Sequence, residues 1–167
     1  MNRTRLALIT LLLSATASGA AEQPLPRVLP PECEMNLALA ALPEHLRAGA
    51  SVYGFGDDGY SLVREGTNPF TCIVNRDDPF SIKPTCFDAE GTATIVPKII
   101  QVGAWLRAGR PLDDIPVDID ARFESGELVS PRRAGVAYML SHYNRPYNPA
   151  TGALGWFPPH LMFYAPN

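Results

Sequence analysis

The order in which hydrophobic periods appear along the chain narrows its fold more than any single motif. Ser51 to Gly56, Tyr60 to Glu65 and Phe70 to Asn75 are short runs rich in Val, Tyr, Phe and Thr. Such residues fit a half-buried pleated surface. Asp57-Asp58-Gly59 parts the first two runs and is a hairpin signal, because glycine accepts positive φ. Gly66-Thr67-Asn68-Pro69 parts the second from the third, and Pro69 steers Asn68 out of the helical region. Amphipathic helices come only afterwards. Ile95, Ile99, Val102 and Leu106 recur at helical spacing, with Thr94 as a cap and Pro97 in the first turn. Ile115, Ile119 and Phe123 form a second stripe, capped by Asp113 and ended by Gly126. Gly135 to Ser141 and Leu161 to Asn167 return to strand character. Strands, then helices, then strands is an α+β order; a parallel βαβ sheet would alternate them. The expected architecture is an antiparallel sheet, a meander plus C-terminal strands, with two or three helices packed on one face.

The N-terminal third adds a helix and a leader. Met35, Leu39, Leu42 and Leu46 share one helical face, interrupted by Pro43 and stopped by Gly49. Residues 22–34 hold four prolines up to Pro31 and read as an extended leader. Residues 1–21 have the three parts of a secretory signal: Arg3 and Arg5, an uncharged apolar stretch from Leu6 to Leu13, and small residues up to Ala21. Cleavage is expected after Ala20 or Ala21. The apolar stretch is too short to span a bilayer, which needs about 20 residues. Residues 35–167 then form one domain, with an apolar C-terminus that suggests either a strand tied into the sheet or a chain continuing past Asn167.

Export bounds the chemistry. Two of the 14 Lys and Arg residues and none of the 17 Asp and Glu lie in the signal, leaving 12 basic against 17 acidic residues, a net charge of about −5. With no basic block, nucleic-acid binding by phosphate neutralisation is disfavoured. The sequon Asn2-Arg3-Thr4 lies within the signal. Outside the cytoplasm disulfides persist. Of Cys33, Cys72 and Cys86, the pair Cys72–Cys86 closes the shortest loop and is the expected bridge, with Cys33 free or joined between chains. A buried thiol at Cys72 is the alternative.

Arg64-Glu65-Gly66-Thr67-Asn68-Pro69-Phe70-Thr71-Cys72, the stretch from Gly135 to Ser141, and Pro158-Pro159-His160-Leu161-Met162-Phe163-Tyr164-Ala165-Pro166-Asn167 resemble a family of uncharacterised exported bacterial proteins. The resemblance covers most of the mature chain. Members usually carry Gly where Pro69 stands and continue past the Ala-Pro element. It implies export and no particular activity.

Two polar or aromatic regions exceed what folding needs. Arg64 and Asn68 flank a hairpin turn and suit an anionic or amide-bearing ligand. Tyr143, Trp156 and His160 lie on or beside a long loop from Tyr143 to Pro159, where aromatic faces stack on rings or anchor partners. If both regions meet at one end of the sheet they line a shared cleft. The competing reading is that the loop aromatics cover the core. His160 and Met162, alternate on a strand, are haem-type ligands, but no Cys-x-x-Cys-His is present and no cofactor or metal is expected. Asp118 and Asp120 begin a calcium loop that fails at Arg122 and Phe123. The expected function is an exported, soluble binding module for a small molecule or envelope component. An envelope hydrolase using Cys72 or His160, and a structural envelope component, are the alternatives.

Overall fold

In the computed structural model, which describes residues 23–166, β1 (Ser51–Gly56) and β2 (Gly59–Arg64) form the expected hairpin. Gly59 takes φ +99° at its turn. The expected export signal lies outside the described residues. β3 (Thr71–Asn75) departs from a simple meander. It lies on the far side of β1 and runs parallel to it, with Val52 opposite Cys72. The cause is the link at residues 65–70, which passes beneath the start of β1 instead of turning back along β2. The Gly66 amide donates to Ser51 Oγ at 2.9 Å, and the Thr67 and Asn68 amides donate to Gly49 O at 2.7 and 2.9 Å. A Cβ at Gly66 would stand 2.3 Å from Ser51 N and 2.4 Å from Gly49 O, so glycine is what lets the link pass. Strand periodicity cannot distinguish these topologies, because the same alternation fits either neighbour.

The sheet continues with β4 (Lys83–Phe87), β5 (Gly135–Met139) and β8 (His160–Tyr164), in the order β2-β1-β3-β4-β5-β8. β4 carries no strand signal in the sequence. Pro84 argues against a central strand, and burial of four of its five residues removes the alternation that would have marked it. The long loop folds a small ribbon of its own, β6 (Tyr147–Asn148) against β7 (Ala153–Leu154). Among the described residues the result is a mixed, mostly antiparallel sheet with five helices, an α+β fold.

The helices divide between the two faces rather than sharing one. α1 (Pro31–Leu39) and α2 (Glu44–Arg47) split the first apolar stripe at Pro43, and α1 takes residues 31–34 from the expected leader. Ala38, Ala41 and Leu42 bury against Val52, Cys72, Val74 and Cys86. α3 (Ala89–Thr94), α4 (Val96–Arg107) and α5 (Asp114–Glu124) follow on the chain. Val96 and Ile99 bury against Ile73, Phe87 and Ala137, the opposite set of the strand alternation. Below them Val102 and Leu106 meet Ile115 and Ile119. Neither expected helix cap forms. Asp88 caps α3 by accepting from Gly91 N at 3.0 Å, so the chain is already helical at Thr94, whose hydroxyl donates to Glu90 O. Asp113 makes no side-chain cap.

Asp88 does more than cap. Its second oxygen accepts from Val136 N at 2.8 Å, and the Tyr164 hydroxyl donates to the first. One carboxylate thus ties α3 to β5 and β8. Partial burial pushes the Asp88 carboxyl up, but the Gly91 amide, the Tyr164 hydroxyl and the Val136 amide outweigh it and hold the group below its ordinary value. A depressed carboxyl stabilises the fold above its unfolded pKa, and that contribution is lost as pH falls through the folded one. Asp88→Asn is therefore expected to cost about 1–2 kcal/mol at pH 7, allowing for solvent screening. The gap from wild type should narrow below about pH 4. Urea unfolding at pH 7 and pH 3 measures both; a gap that stays constant with pH would refute the role of the charge.

Candidate functional site

The two regions singled out in the sequence do not meet. Arg64 stands opposite Val52 at the start of β1, on the edge strand β2. Tyr143 follows the end of β5, where Met139 pairs with His160. Phe87 opposite Ala137 shows that β5 begins at the end of the sheet where β1 and β3 begin. The two regions thus lie at opposite ends, with three strands between β2 and β5, roughly 19 Å of sheet at the usual spacing. The shared cleft is not formed.

The polar atoms near Arg64 serve the backbone. Arg64 donates to Ala50 O at 3.0 and 2.8 Å and to Arg47 O at 2.6 Å, satisfying a carbonyl at the end of α2. Asn68 Nδ2 donates to Leu46 O at 2.7 Å, and its Oδ1 accepts from Phe70 N at 3.0 Å. Both clamp the link that sets the β1–β3 crossing.

The loop aromatics are open to solvent rather than laid over the core. Trp156 is 56% exposed, and its indole N–H donates to His142 O at 3.1 Å. Tyr143 is 49% exposed, with the Arg145 guanidinium 4.9 Å from its ring centre. Tyr143 borders a shallow hollow of about 610 Å³ on the α1 side, shared with Leu37, Ile82, His142 and the exposed, free thiol of Cys33. Cys72 is buried and joined to Cys86, as expected, and so carries no thiol for nucleophilic attack. That removes Cys72 from the hydrolase alternative.

His160 lies elsewhere, at the mouth of a groove on the opposite face. α4 lies over β2 and leaves the β4–β5–β8 half of that face partly uncovered. Two adjoining hollows of about 440 and 330 Å³ share Asn75, Phe87 and Met162 and form one elongated groove. Phe87, Ala137 and Met162 make its floor, and Ile95, at the N-cap of α4, with Ile99 and Val102 of α4, its wall. Phe157 and His160 close one end, their rings edge to face at 5.1 Å. The His160 ring nitrogen Nδ1 is 2.8 Å from Pro158 O, the hydrogen-bonded histidine of a strand entry. Charge is confined to the rim, at Lys98 and at the ion pair Lys83–Asp77. Burial pushes the Asp77 carboxyl up, but the Lys83 ammonium outweighs this and keeps it below the usual carboxylate range.

This groove was not visible in the sequence. Ile95, Ile99 and Val102 read as an ordinary buried helix stripe, and Met162 as part of a terminal apolar run. Their only sequence signal is the apolar run 161–164 itself. An α+β domain with a ligand-sized, apolar-floored groove is what fold and site define. No family model, curated protein or solved structure matches the chain, so neither activity nor site residues are transferred from another protein.

Proposed function

We propose that this protein is an exported binding module that takes a small amphipathic molecule in the groove between α4 and the β4–β5–β8 half of the sheet. The observation that carries the reading is the groove itself: an elongated apolar floor and wall with charge only at the rim. Binding pockets have this composition, a mostly apolar lining with a few polar groups that orient the ligand. The ligand's apolar body lies on Phe87, Ala137 and Met162, and its polar group faces Lys98, Lys83 and His160. Of the five binding residues expected from sequence, the reading keeps His160. Tyr143 and Trp156 remain available to a partner on the other side.

Export is supported by the signal sequence and by the disulfide, which persists outside a reducing cytoplasm. No helix among the described residues is long and apolar enough to cross a membrane. The one hydroxyl residue lining the hollow around His160 is Thr85, whose hydroxyl donates to Lys83 O at 2.9 Å and so serves its own strand.

Titration with anilinonaphthalene sulfonate, a small amphipathic anion, followed by displacement with medium-chain fatty acids, tests the reading. Saturable fluorescence enhancement is expected, displaced by the acids. Met162 is 41% exposed, so Met162→Lys is expected to leave the fold intact. Placing a charge on the apolar floor should weaken binding by about tenfold or more, the equivalent of about 1.4 kcal/mol. Unchanged binding by a folded Met162→Lys protein would refute the assignment.

A further inference from the structure

β8 is an edge strand, and it lacks every device that normally blunts one. Its outer side has no partner strand among the described residues. His160-Leu161-Met162-Phe163-Tyr164 contains no Asp, Glu, Lys, Arg or Pro, and its pairing with β5 runs through all five residues without a bulge. Edge strands that stay single usually carry such a charge, proline or bulge. Leu161 is 43% exposed and Phe163 80%. Leu161 sits opposite Tyr138, which packs on the α1 side, so alternation puts the Leu161 and Phe163 side chains on that face, while Phe163 also borders the end of the groove.

We propose that β8 pairs with β8 of a second copy of this chain, antiparallel about a two-fold axis through Met162. The strand's own pattern selects that occupant. Reversed about Met162, Leu161 faces the partner's Phe163 and Phe163 faces the partner's Leu161, while Met162 faces its own copy. Every opposed pair on the exposed face is apolar on apolar, and no like charges meet. The length matches as well. Pro158 and Pro159 precede the strand and Pro166 follows it, and without N–H groups they end the ladder on both sides. A five-residue strand bracketed by prolines is matched in length by itself. The two sheets join into one across the axis, the isologous contact of a closed dimer. A seam one strand wide buries less than the roughly 1,600 Å² of a standard interface, so the dimer forms and dissociates with concentration.

Sedimentation equilibrium on Cys33→Ser protein, which excludes a dimer linked through that thiol, tests the proposal from ~10 μM to ~1 mM. A monomer–dimer equilibrium is expected. Leu161→Lys/Phe163→Lys sets lysines against lysines at both opposed positions and should raise the dissociation constant about 100-fold. Leu161→Lys/Phe163→Glu sets opposite charges there and should restore most of the association. Thermal melts at low concentration confirm that each variant folds. A monomer at all concentrations would overturn the proposal. So would a dimer insensitive to these pairs, or one that the Lys/Glu variant fails to rescue. Both strand variants change Phe163, which borders the groove, so the dye titration is read on protein with wild-type β8, where ligand binding and dimer formation succeed or fail separately.

Discussion

Arg76→Met is expected to destabilise the protein by about 3–5 kcal/mol, because it strands a charge in the core. Arg76 and Glu34 are each 1% exposed, and two N–H···O bonds of 2.7 Å join them. Arg76 also donates to Val74 O at 3.0 Å and lies 4.5 Å from the centre of the Phe55 ring. The backbone around it is held by Tyr60, whose hydroxyl donates to Val74 O and accepts from Arg76 N. Burial pushes the Tyr60 hydroxyl well above its ordinary pKa, so it stays a donor at neutral pH. Removing the guanidinium leaves the Glu34 carboxylate without solvent or partner. Against a total stability of about 5–15 kcal/mol, that loss is a large fraction. Glu34→Leu/Arg76→Met removes both charges and should recover most of it, since an apolar pair of similar volume is often neutral or better. Urea unfolding of the single and double variants gives the coupling directly. A double variant as unstable as Arg76→Met would show that lost packing against Phe55, and not the stranded carboxylate, sets the cost.

What the sequence disclosed and what it hid follow from the range of the interactions concerned. The β1–β2 hairpin was readable because Asp57-Asp58-Gly59 encodes its turn locally. The glycine stop of α5 was readable for the same reason, since Gly126 takes φ +79° there. The α+β class followed from the order of the periods. The parallel β1–β3 pairing was hidden because it depends on a backbone crossing that only Gly66 permits. Glu34 was hidden because a glutamate beside prolines reads as solvated surface, and nothing local announces an arginine 42 residues on. Arg64 and Asn68 looked like a binding pair because the signal for a ligand-binding polar cluster equals the signal for one that binds its own backbone. The groove drew its lining from β3, β4, α4, β5 and β8, so no window of sequence contains it. His160 was found for its residue type, and the structure gave it different neighbours from those expected.

The second large effect is expected from the Cys72–Cys86 bridge. The two cysteines face each other on adjacent antiparallel strands, both buried on the α1 side of the sheet. They are 14 positions apart, and closing a loop of that size stabilises by about 3 kcal/mol in the chain-entropy model. Most of that acts on the unfolded chain. Reduced thiols still fit the same apolar site, so the folded state changes little. Reduced protein should therefore unfold at lower urea and with a steeper slope, because its unfolded state is more expanded and exposes more surface. Reagent meets the bridge only when β3 and β4 open, so reduction of native protein should be slow and should quicken in step with unfolding as urea is added. The same strands carry Phe87 and Asn75 to the groove on the other face, and Phe87 adjoins Cys86. If reduced protein keeps its dye affinity while losing stability, the bridge holds the chain together without shaping the groove. If affinity falls in parallel at temperatures where the protein is still folded, the bridge also fixes the groove floor. An unchanged urea midpoint and slope after confirmed reduction would contradict the assigned role of the bridge.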